Sequence, residues 1–88
     1  MKPLNYAILK HFTKVDEASA EDVIIALNKE YSSFKALNKK DVMNALMTAE
    51  ANGLLEETGF ELNKNDELVV YYHAHAEGAE IINKYIRD

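Results

Sequence analysis

Cysteine occurs nowhere in the 88 residues. Its absence excludes disulfide staples, thiolate zinc sites and cysteine nucleophiles, and it fits a cytoplasmic protein. Arginine is almost as scarce, with Arg87 the only one. No apolar run approaches the roughly 18 residues a transmembrane helix needs, so no membrane partner is expected. The opening MKPLNYAILKHF carries charge at Lys10 and His11 and lacks the pattern of a secretory leader. Gly-rich phosphate loops, HExxH pairs and Ser–His–Asp spacings are also missing, so the chain reads as a binding protein and not an enzyme. No linker, repeat or low-complexity tract divides it, and residues 1–88 are expected to form a single domain.

What is present is a globular composition, 48% hydrophobic, with a net charge of −5. A chain this short buries only about 60–65% of its unfolded surface, so one well-made core must serve. Charge is unevenly spread. Residues 1–49 carry +1 and residues 50–88 carry −6. Nucleic-acid binding draws on Lys and Arg that displace counterions from phosphate, so any basic surface must be sought in the first half.

Apolar spacing sets the element order. Pro3 suits the first turn of a helix, and Leu4, Ile8, Leu9 and Phe12 predict helix one over 3–13. A bridge residue is expected near Val15. Ser19 with Asp22 forms a capping-box pattern that opens helix two over 20–31, with Val23, Ile24, Ala26 and Leu27 buried. Phe34 and Leu37 in the following connection are expected in the core. Asn38 caps helix three over 39–52, with Leu37 able to staple onto Val42. Val42, Ala45, Leu46 and Ala49 then face inward, and Gly53 ends the helix. The period next changes to two. LLEETGFEL and ELVVYYHAH flank the polar turn NKND and predict a β-hairpin, with Leu68, Val70, Tyr72 and Ala74 on one face. A fourth helix is expected over 76–87.

The order of three helices, a two-stranded hairpin and a closing helix resembles a winged helix-turn-helix domain, an α+β fold that is mostly α. ALMTAEANGLLEE is similar to the junction in MarR- and PadR-type regulators, where the recognition helix ends in glycine and two apolar residues begin the wing. YYHAHAEGAEII is similar to the Tyr-x-Leu-Thr-x-x-Gly segment of the same families. Tyr72 and Gly78 match, while Ala74 replaces the usual Leu and His75 the usual capping Thr. The resemblance implies a small transcriptional regulator binding double-stranded DNA, with the outer face of helix three in the major groove.

On that placement Lys35, Lys39 and Lys40 gather at the positive end of helix three, where phosphate is held. Asn44 and Thr48 are the candidates for base edges, and Lys64 sits in the wing turn. A second reading stays open. Met47 and Ala51 put apolar surface where a DNA reader carries polar groups. The hairpin also holds five carboxylates against one lysine. Both features suit a protein-interaction module that has given up DNA. Ile81 and Tyr85 exceed what one buried face of helix four needs, and they are the candidates for a homodimer contact. His73 and His75 share a strand face but lack further ligands in the pattern, so no metal or cofactor is expected.

Overall fold

A computed structural model describes all of residues 1–88. Four helices and a three-stranded antiparallel sheet follow in the order α1 (Leu4–His11), β1 (Ala18–Ser19), α2 (Ala20–Tyr31), α3 (Lys39–Ala51), β2 (Glu56–Leu62), β3 (Leu68–His73) and α4 (Ala76–Tyr85). No helix is long and apolar enough to cross a membrane.

The helix starts follow their caps. Ser19 accepts from the Asp22 amide, and the Asp22 carboxylate accepts from the Ser19 amide, closing a reciprocal box at α2. Asn38 Oδ1 accepts from the Asp41 amide at 2.9 Å and opens α3. At the other end Gly53 adopts φ 77°, its amide bonds the Glu50 carbonyl, and the Leu54 amide bonds Ala49. That paired closure requires a left-handed residue, which Gly53 supplies without a Cβ penalty. The hairpin turn is held by Asn63, whose Oδ1 accepts from the amides of Asn65 and Glu67.

Several expectations change. Helix one stops at His11, and Phe12 continues as a turn. The bridge near Val15 moves to Ala18 and Ser19, which pair with Tyr72 and Tyr71, so the sheet gains a third strand in the order β1–β3–β2. Val15 itself is exposed. Ala26 faces solvent, since the buried face of α2 is centred on Val23 and Ala20, with Ile24 and Leu27 partly buried at its margin. Phe34 is also exposed and stacks edge-on against Tyr31, with ring centroids 5.0 Å apart. Helix four ends at Tyr85. The core itself is drawn from the expected stripes: Leu4, Ile8 and Phe12 of α1 meet Val23 of α2 and Val42, Leu46 and Ala49 of α3, with Leu55 and Tyr72 closing it from the sheet side.

Two contacts hold α4. Lys10 is buried on α1, and its ammonium donates to Asn83 Oδ1 at 2.7 Å and to the Ile86 carbonyl at 2.8 Å, at the negative end of α4. At the first turn of α4, a Cβ built on Gly78 would lie 2.2 Å from the Leu54 carbonyl oxygen. Gly59 in β2 has nothing within 4 Å of such an atom. Gly78→Ala should therefore cost about 3 kcal/mol through overpacking against backbone. Gly59→Ala should stay within about 0.5 kcal/mol of the parent. Urea unfolding of the two variants checks the contrast, and equal midpoints would contradict the close approach.

Candidate functional site

Helix α3 presents Lys40, Asn44, Met47, Thr48 and Ala51 to solvent, opposite its buried Val42–Leu46–Ala49 stripe. Met43 turns toward the core and packs against it. Lys35 is exposed in the preceding turn. Lys39 is directed elsewhere: its ammonium lies 3.4 Å from Glu21 of α2 and 4.0 Å from Glu67 of the hairpin. Such half-exposed pairs add less than about 1 kcal/mol to stability, but they cancel the middle charge of the expected basic trio. Asp41 lies beside it, tied to Asn38. Lys35, Lys40 and Lys64 form no ion pair, and Lys64 sits in a turn with Asp66 and Glu67 as close sequence neighbours. The six candidate DNA contacts thus divide. Four remain on or beside α3, one is neutralised, and one stands in acidic surroundings.

The flank of α3 that faces α1 holds a groove of about 460 Å³, floored by Ile8, Leu9, Ala45, Ala49 and Leu54. Asn44 and Thr48 form part of its rim. A second hollow of about 180 Å³ is lined by apolar residues alone, with Tyr6, Ile81 and Tyr85 around Leu9 and Leu54. Leu9 and Leu54 line both, so the two adjoin and border a trough between α1 and its neighbours α3 and α4. Ile81 is 45% and Tyr85 73% exposed, whereas Ile82 on the adjacent face of the same helix and Ile86 just past its end are buried. Of the four candidate interface residues, Ile81 and Tyr85 share this trough, while Met47 and Ala51 line neither hollow. Tyr6 was not expected here. Its signal was its place two residues off the Leu4–Ile8 stripe, on the face shared with Leu9.

The two strand histidines go separate ways. His73 pairs with Glu56 across the hairpin. His75 caps α4: its Nδ1 accepts from the Gly78 amide at 3.1 Å, and its Nε2 lies 3.0 Å from the Gly53 carbonyl. A carbonyl can only accept and an amide only donate, so Nε2 carries the proton and Nδ1 is bare. No group of three or more His, Asp or Glu residues is placed to hold a metal ion. Titration is perturbed locally. The hydrogen bond to Glu61 pushes the Tyr71 hydroxyl up to about 12. Burial, then the charges of Glu50 and Glu57, raises Tyr72. His11 is lowered by burial and then by Lys14.

The bridge formed by His75 supports the floor of the trough at Leu54. His75→Thr keeps a capping oxygen for α4 and loses the Gly53 contact, which should cost about 1 kcal/mol. His75→Ala loses both and should cost about 2 kcal/mol. Equal unfolding free energies for the two variants would show that the contact to Gly53 contributes nothing. No protein-family model matches the chain, and no curated protein matches it.

Proposed function

We propose that the chain is a winged-helix protein-interaction module, with α3 in the recognition-helix place and β2–β3 as the wing, and that it pairs with a second copy across the α1–α4 trough. One observation carries this reading. Tyr6, Ile81 and Tyr85 border a wholly apolar hollow that shares Leu9 and Leu54 with the groove beside α3. Exposed apolar surface of this kind, contiguous and concave, is characteristic of a contact surface. The order of elements supports the winged-helix assignment, with α2 and α3 as the helix pair and the hairpin directly after α3. Charge supports the choice of protein over DNA. The hairpin carries Glu57, Glu61 and Asp66 without an ion-pair partner, and such carboxylates repel phosphate over roughly 10 Å.

A second reading, duplex DNA bound along α3, is favoured by a different observation. Lys35 and Lys40 are exposed and unpaired at the positive end of the helix, with Asn44 and Thr48 exposed further along. Binding of that kind would weaken steeply with salt.

Sedimentation velocity over a wide concentration range tests the first reading. The parent chain should shift toward a dimer as concentration rises, and the Ile81→Lys, Tyr85→Lys double variant should remain monomeric. A parent chain that sediments as a monomer throughout contradicts the trough as a self-pairing surface. Fluorescence anisotropy with a labelled random duplex at low salt tests the second. No saturable signal is expected. Saturable binding that Lys35→Glu, Lys40→Glu abolishes would replace the first reading with the second.

A further inference from the structure

Strand β2 is an edge strand. It bonds to β3 on one side, and none of its backbone groups bonds to any other part of the chain. The pairing register places Phe60 opposite Val70 and Leu62 opposite Leu68, so these side chains share one face of the hairpin. Gly59 and Glu61 lie on the other face, opposite Tyr71 and Val69. Phe60, Leu62 and Leu68 are 69%, 64% and 52% exposed, beyond the reach of the core. The free edge over residues 59–62 therefore alternates, apolar on one face and acidic or bare on the other. Acidic side chains alone can blunt an edge against aggregation. They give no reason for three large apolar side chains to stand in water on the same hairpin.

We propose that the outer edge of β2 receives an extended strand from another protein, one that alternates Lys or Arg with apolar residues. Added strands gain affinity from main-chain hydrogen bonds and specificity from alternate side chains. Apolar residues of the incoming strand lie beside Phe60 and Leu62, and its basic residues lie beside Glu61. Gly59, with open space where a side chain would stand, lets the second backbone approach closely. Charge selects the occupant. The hairpin carries five carboxylates and one lysine, so a second copy brings like charge against like, whereas a basic strand meets its complement. This surface is separate from the α1–α4 trough, and neither proposal depends on the other.

The test uses the full ¹⁵N-labelled chain with three capped synthetic peptides. One alternates Lys and Val, one alternates Glu and Val, and one is the Lys–Val peptide N-methylated on alternate residues along its hydrogen-bonding edge. The Lys–Val peptide should shift the amides of β2 and slow their hydrogen exchange. The Glu–Val peptide should bind about tenfold more weakly or less. The N-methylated peptide should leave β2 unchanged, because it cannot form the ladder. Glu61→Lys should reverse the preference between the first two peptides, and Ile81→Lys in the trough should leave both affinities as they are. No shift in β2 with the Lys–Val peptide overturns the proposal, as does equal binding of the N-methylated form. Shifts of β2 on raising the concentration of the chain alone would also overturn it, by making a second copy the occupant.

Discussion

The approach of Gly78 to the Leu54 carbonyl sets the arrangement of the second half of the molecule. No residue with a side chain fits at that distance, so the first turn of α4 lies directly on the backbone where the chain leaves α3. His75 fastens the same place from the side by joining the Gly53 carbonyl to the Gly78 amide through one imidazole. Gly53 has already turned the chain there through its left-handed conformation. Two glycines and one histidine therefore fix where α4 begins. Lys10 fixes where it ends, by donating to the Asn83 side chain and to the carbonyl of Ile86, the residue just past the helix. Between those anchors α4 has one rotational setting, with Ile82 and Ile86 against the core and Ile81 and Tyr85 outward. The trough is a consequence of that setting.

Electrostatics then separates the two flanks of α3. On the side toward α2 and the hairpin, Lys39 is held by Glu21 and Glu67. Toward α1 the groove is apolar below and neutral along much of its rim. What remains basic is confined to Lys35 and Lys40. A phosphate backbone carries about one charge per 1.7 Å of duplex axis, and two free lysines offer little counterion release against it. An apolar partner faces no such shortfall at Tyr6, Ile81 and Tyr85. This balance, and not the identity of the fold, is why we favour protein over DNA as the ligand.

Local chemistry was legible where a cap or a period specified it. Ser19 with Asp22, Asn38, and Gly53 marked the starts of α2 and α3 and the end of α3, and the alternation of β3 placed Val70 and Tyr72 on one face without telling which face meets the core. What escaped were features made by residues distant in the chain. Ala18 and Ser19 form a strand only because Tyr71 and Tyr72 arrive beside them, and a two-residue strand has no periodicity to detect. Lys39 looked free because its partners come from α2 and from the hairpin. Phe34 was expected inside, but it is exposed and stacks edge-on against Tyr31, which is the buried ring of the two. His75 was recognisable only as an unusual residue at a capping position, since its bond to Gly53 spans 22 positions. The exposed pair Ile81 and Tyr85 was foreseeable from a surplus of apolar residues on a short helix, whereas Tyr6 became part of the site only when α4 was laid across α1.

The central claim is that the apolar trough, and not the basic start of α3, is where this chain meets its partner. One ¹⁵N-labelled sample compared by amide chemical shifts decides between them, first diluted and then titrated with random duplex at low salt. We predict that dilution moves the amides of Tyr6, Leu9, Leu54, Ile81 and Tyr85, and that duplex leaves Lys35, Lys40, Asn44 and Thr48 in place. Shifts confined to those four residues on adding duplex, with no change on dilution, would contradict it.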